Sequence, residues 1–197
     1  MSIEKTVWIA TSNHHKYVEA RAVLQEFGVN LKHLEMERVE IQANNLAEIA
    51  VYSAEHVKPN GRIIVVEDAG LFIDQYEGFP GPYSSYVLQT IDLNGVLKLM
   101  ERVEKRNASF ISAVALRDRN VTRCFQGIVM GEIAHSIRGT GGFGYDPIFI
   151  PDEGDGRTFG EMAVEEKNTL SHRARAFRAL GEWLTLNVVK VFNRWSS

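Results

Sequence analysis

Four consecutive β-branched residues, Ile63-Ile64-Val65-Val66, constrain the fold of this chain most, because a strand that is apolar on both faces must be covered on both. The segments before it supply the layers. Val7-Trp8-Ile9-Ala10 reads as a short strand, and Tyr17, Ala20, Leu24 and Phe27 follow at helical spacing. Residues 31–36 read as a second strand, Asn44-Asn45 can cap a helix running toward Val57, and Pro59-Asn60-Gly61 breaks the chain ahead of the apolar run. Such alternation of strand and helix indicates an α/β sheet. Residues 108–116 and 121–133 are β-rich and flank the polar Arg117-Asp118-Arg119-Asn120, which predicts an antiparallel hairpin extending that sheet. A final helix carries the apolar stripe Leu170, Ala174, Phe177, Leu184 and Val188.

Composition excludes several classes. With 197 residues and 45% hydrophobic content, one domain spanning 1–197 can bury a full core. A net charge of -3 without a long basic run argues against duplex nucleic acid as the partner. The single cysteine, Cys124, allows neither a disulfide framework nor a cysteine-based zinc site, and it reads as a small core residue. The N-terminus, Met1-Ser2-Ile3-Glu4-Lys5-Thr6, leads directly into the first strand. No segment reaches the roughly 20 apolar residues that span a bilayer, so a soluble, cytoplasmic protein without a membrane partner is expected.

Chemistry concentrates in four places. In Gly141-Gly142-Phe143-Gly144-Tyr145-Asp146-Pro147, glycines open unusual backbone angles and Pro147 biases Asp146 toward extended geometry. Phe143 and Tyr145 could stack on a planar group while Asp146 accepts a hydrogen bond from it, as when a nucleobase is held outside a helix. The plainer reading is a glycine-rich turn before Ile148-Phe149-Ile150. Thr11, Ser12, Asn13 and Lys16 fall where a strand feeds a helix N-terminus, a position suited to a polyphosphate, or else Ser12 or Asn13 simply caps the helix. The P-loop spacing is absent. His14 and His15 are adjacent, point in different directions and read as helix surface.

Glu67 and Asp68 are expected to close the apolar strand, where open α/β sheets bind ligands. Paired acids there suggest Mg²⁺, for which Glu40 together with Asp68 would suffice; the alternative is an exposed strand-end turn. Ser171 is a plausible cap for the last helix, with Lys167, His172 and Arg173 around its first turn. Cations are unfavourable at that end of a helix, so either an acceptor-rich ligand lies opposite them or they form a solvated basic turn.

Five stretches together carry a resemblance: Thr11-Ser-Asn13-His-His-Lys16, Glu67-Asp-Ala-Gly70, Gly78-Phe-Pro-Gly-Pro-Tyr-Ser84, Gly142-Phe-Gly-Tyr-Asp-Pro147 and Ser171-His-Arg173. The chain resembles the inosine triphosphate pyrophosphatase family, which acts on non-standard purine nucleoside triphosphates. The resemblance implies a long mixed sheet flanked by helices, two lobes with a substrate cleft between them, a homodimer, and Mg²⁺-dependent hydrolysis to a nucleoside monophosphate and pyrophosphate. It places Thr11, Ser12, Asn13 and Lys16 on the triphosphate, Asp68 as metal ligand or base for the attacking water, and Glu40 as second metal ligand. Phe143, Gly144, Tyr145 and Asp146 would embrace the nucleoside, with Lys167, His172 and Arg173 near the base. Ala69 stands where the family often has serine, which removes one hydroxyl contact. A pyrophosphatase for modified pyrimidine or standard deoxynucleoside triphosphates, or a non-catalytic nucleotide-binding module, would draw on the same residues.

Overall fold

The computed structural model describes residues 5–119 and 121–192; the first four residues and the Asn120 corner of the expected hairpin lie outside them. β3 (Ile64–Ile73) is ten residues long, well beyond the apolar run. β5 (Asn107–Asp118) pairs antiparallel with it from Ile64↔Arg117 to Ile73↔Ala108, and that continuous ladder carries the strand through its acidic residues. Glu67 and Asp68 therefore lie in mid-strand rather than at a strand end.

The opposite edge of β3 is divided. β1 (Thr6–Ala10) runs parallel to it at Trp8↔Ile64 and Ile9↔Val65, and β4 (Phe79–Gly81) pairs antiparallel with Leu71, Phe72 and Ile73. Among the described residues no strand pairs with that edge between Val65 and Leu71. With β2 (Asn30–Leu34), β6 (Val121–Ile133) and β7 (Phe149–Pro151), the described residues form a seven-stranded sheet of order β2-β1-β3-β5-β6-β7, with β4 off that path. The first three strands are parallel and the remaining pairs antiparallel, so the sheet is mixed.

Strand alternation sorts the covering helices. α1 (His14–Gln25) and α5 (His172–Leu186) pack on Val7, Ile9, Val65 and Val114, while α2 (Leu46–His56) covers Ala10, Ile64, Val66 and Ala113 on the other face. α3 (Ser84–Leu99) closes a further core at Leu71, Ile73, Phe110 and Val129. The stripe from Leu170 to Val188 is split among α4 (Val164–Leu170), α5 and α6 (Val188–Phe192), because Ser171 caps α5 by accepting the Ala174 N–H and Asn187 ends it. Lys167 consequently belongs to α4. Cys124 is exposed rather than a core residue: β6 buries Gly127, Val129, Gly131 and Ile133, and the two-residue period turns Cys124 outward.

Gly127 lets α5 lie close on β6, since a Cβ there would overlap the His172 carbonyl oxygen and press on Ala176. Gly127→Ala should cost about 1–3 kcal/mol through overpacking. A lowered urea midpoint at unchanged m-value would show it; an unchanged midpoint would mean that the helix yields freely.

Candidate active site

Along the uncovered edge of β3 lies a cavity of about 690 Å³. Its walls come from the β1–α1 turn, the segment before α2, residues 68–70 of β3, the first turns of α3 and α5, and the glycine loop before β7. Every residue expected at the site lines it except Glu67 and Lys167, which are buried. His14 and His15 are exposed as helix surface, yet both face this cavity. Arg38, Ser85, Gln89 and Phe110 also line it and were not anticipated.

The β1–α1 turn is organised by its own side chains. Asn13 is the N-cap, its Oδ1 accepting the His15 and Lys16 N–H groups at 3.0 and 3.3 Å, while Thr11 Oγ1 accepts from Asn13 N at 3.1 Å. The cap directs Lys16 along the first turn, where its Nζ lies 2.9 Å from Glu67 Oε2. Lys16 Nζ and Arg38 Nη1 also donate to the Glu67 carbonyl at 3.5 and 3.2 Å, so side chains satisfy the strand edge that no neighbouring strand reaches.

Glu67 and Asp68 do not act as a pair. Alternation turns Glu67 toward α1 and α5, where it meets Lys16, Arg173 at 3.1 Å and Ser112 at 2.8 Å. Burial opposes its charge, but Arg173 and Lys16 outweigh that and hold the carboxyl well below the usual range. Asp68 faces the other way, toward Glu40, and accepts no hydrogen bond among the described residues. Burial chiefly, opposed by Lys16 and reinforced by Glu67 and Glu40, pushes its carboxyl up to about 6. Glu40 itself is paired with Arg38 at 2.6 Å.

The cations around α5 also find acceptors, and these are the chain's own carboxylates. Lys167 bridges Glu19 and Asp146, each at 2.6 Å, and Arg173 bridges Glu19 at 2.6 Å and Glu67 at 3.1 Å. Arg173 and Lys167 outweigh burial to hold Glu19 ionised, whereas burial pushes Asp146 up against the pull of Lys167. Glu19 was missed by sequence reasoning. Its signal is an acidic residue beside Ala20, Val23 and Leu24 on the buried face of α1.

Asp146 Oδ2 also accepts the Phe143 N–H at 2.7 Å. Gly142 makes this turn possible, having φ +67° and no Cβ to strike that carboxylate. Tyr145 is buried in the core near α3, and its hydroxyl donates to the Ser84 carbonyl at 2.8 Å. His172 stacks on Phe110 with centroids 4.5 Å apart. Burial, with Arg173 and Lys167 adding to it, lowers its pKa well below the usual value, so it is neutral at pH 7, and its buried Nδ1 has no partner among the described residues.

The donor set fits a hard divalent cation. Asp68 is a carboxylate without a hydrogen-bond partner among the described residues, raised chiefly by burial and further by Glu67 and Glu40, and oxygen ligands from one or two carboxylates plus substrate phosphates are what Mg²⁺ takes. No three His, Cys, Asp or Glu side chains gather into a complete cation site among the described residues. No helix among those residues is long and apolar enough to cross a membrane.

Because Asp68 holds its proton more tightly in the folded chain, its ionisation costs stability. That cost is absent below the ordinary value of 3.8 and grows as pH rises through about 6. In metal-free buffer at pH 7, Asp68→Asn should exceed the parent in stability by up to about 3 kcal/mol, with the gain vanishing near pH 4. Paired denaturant titrations at the two pH values would test it; an Asn variant less stable at pH 7 would contradict the assigned environment.

The model of the Ham1 family matches residues 7–183. The chain is 47% identical over 181 residues to a dITP/XTP pyrophosphatase of Hyperthermus butylicus, covering 91% of this chain and 95% of that protein. It is 44% identical over 179 residues to one of Saccharolobus solfataricus, covering 90% and 93%. Among solved structures, a HAM1 protein from Coxiella burnetii superposes with a TM-score of 0.79 at 29% identity, covering 91% of this chain and 99% of that one. A nucleoside-triphosphatase, dITP/XTP pyrophosphatase, from Mycobacterium abscessus gives 0.67 at 34% identity, covering 89% and 98%.

Proposed function

The chain belongs to the Ham1 family, and on that premise we propose that it hydrolyses dITP, XTP and ITP to the nucleoside monophosphate and pyrophosphate with Mg²⁺. The observation that carries this reading is Asp68, a carboxylate without a hydrogen-bond partner among the described residues and raised to about 6, on the wall of a cavity that also holds Lys16 and a helix N-terminus. The relatives named dITP/XTP pyrophosphatase supply the substrate class.

In this mechanism the triphosphate lies across the β1–α1 turn, where Thr11, Ser12, Asn13 and Lys16 orient it. Asp68 accepts a proton from a water held in line with the scissile bond. The new P–O bond forms as the α–β bridging bond breaks, and pyrophosphate departs beside Lys16. Asp68 and Glu40 would hold Mg²⁺, which when bound neutralises phosphate charge. Ala69 contributes only backbone at the place where a serine would add a hydroxyl.

Base selection follows from donors held on rigid elements. Arg173 has more N–H groups than its carboxylate contacts use, and neutral His172 carries one donor and one acceptor. A keto oxygen at the purine 6-position satisfies such donors, whereas the adenine amino group leaves them unpaired at about 1–3 kcal/mol each. Phe143, Gly144, Tyr145 and Asp146 shape the nucleoside side, and Lys167 fixes Asp146 from below. The reading includes a homodimer with a cleft between two lobes in each subunit.

Incubation with Mg²⁺ and dITP, XTP, GTP or ATP in parallel should release pyrophosphate from the first two and little from the others. Orthophosphate as first product would overturn the reading. Chelation should stop turnover, Asp68→Asn should abolish it, and kcat/KM should rise with pH as Asp68 ionises, at or below about 6 because bound Mg²⁺ favours the carboxylate. Light scattering at assay concentration checks the dimer.

A further inference from the structure

Phe143, the ring that the proposed function gives to the nucleobase, is already stacked. The His15 imidazole lies over it with centroids 5.3 Å apart and planes 21° from parallel. Lys167 Nζ and Arg173 Cζ lie 5.0 and 5.1 Å from the same ring centre. Both cations are buried and His15 is exposed, so the imidazole is the solvent-side neighbour of the phenyl ring.

A planar base needs about 3.4 Å on each side, the step of a stacked nucleic-acid helix, so two rings must stand about 6.8 Å apart to admit one. The observed 5.3 Å is too close, and His15 must retreat by at least about 1.5 Å. It has the freedom to do so. Its backbone is anchored by the bond from His15 N to Asn13 Oδ1 at 3.0 Å, while its side chain makes no hydrogen bond among the described residues. The imidazole can therefore move without disturbing the cap of α1.

We propose that His15 determines base affinity: it covers Phe143 in the free protein in place of a nucleobase, then closes on the outer face of the base when a purine nucleotide enters. The base is held between His15 and Phe143 while the donors around His172 and Arg173 read its edge. This rests on the reading of the site as one for purine nucleotides. It goes beyond that reading in giving a binding role to a residue whose sequence position marks it only as helix surface. The competing role for His15, beside a helix N-terminus, is a phosphate contact.

Inosine monophosphate, which keeps the base and lacks the pyrophosphate, separates the two roles. By calorimetry, His15→Ala should weaken inosine monophosphate binding about tenfold, in the range found for base–aromatic stacking, and leave pyrophosphate binding unchanged. His15→Phe should restore the affinity and His15→Lys should not. Unchanged inosine monophosphate affinity in His15→Ala would overturn the proposal, as would loss of pyrophosphate binding restored by His15→Lys. Absence of pyrophosphate release from dITP in the parent protein would sink the catalytic reading alone, because this binding measurement does not depend on turnover.

Discussion

Five buried charges and the half-buried Lys16 form one layer at the floor of the site. Glu19, Glu67 and Asp146 are matched against Lys16, Lys167 and Arg173, and formal charge cancels. Burying an ion costs several kcal/mol, and a buried pair contributes little net stability against an apolar substitute, so this layer is no great source of cohesion. Its consequence is positional. The contacts join residues 148, 154 and 106 apart in the chain, and they hold α1, β3, the glycine loop, α4 and α5 in one register. Moving any of these elements would leave a buried charge without its partner, which is far more costly than the pairing is favourable. The site inherits its rigidity from that asymmetry.

The second constraint is the divided edge of β3. β5 occupies one edge for the whole strand, while β1 and β4 share the other and leave residues 66–70 uncovered between them. Backbone groups exposed there must be satisfied by something, and Lys16 and Arg38 reach across to the Glu67 carbonyl. The same interruption opens the cavity. Alternation then gives neighbouring acids opposite environments: Glu67 is surrounded by cations and stays ionised, while Asp68 has no hydrogen-bond partner among the described residues and is raised to about 6. Such separated titrations are what acid–base chemistry near pH 7 requires.

Much of this was legible in the chain because it depends on local periodicity. The strand at Val7, the helix capped by Asn45, the β-rich hairpin and the Ser171 cap all follow from short-range patterns. Many of the cavity's residues were legible through motif text and the family resemblance, whereas Arg38, Ser85, Gln89 and Phe110 were not. The length of β3 was not, since acidic residues in mid-strand are sustained only by the ladder to β5. Nor was the outward position of Cys124, which depends on the phase of β6 against the core. Lys167, His172 and Arg173 looked electrostatically misplaced at the start of a helix. The misfit had a cause, but Glu19 and Asp146 lie too far away in sequence for that cause to be visible.

The amino-acid sequence by itself determined the α/β class, the strand–turn–helix at Asn13, the glycine loop and the set of side chains proposed to serve a nucleoside triphosphate. These are properties of nearest neighbours and of residue type. Tertiary structure alone decided which carboxylates are neutralised and which is left poised, where the sheet edge opens, and that His15 lies against Phe143. The reason is that burial and Coulomb interaction depend on distance in space, and folding brings together charges more than a hundred residues apart in the chain.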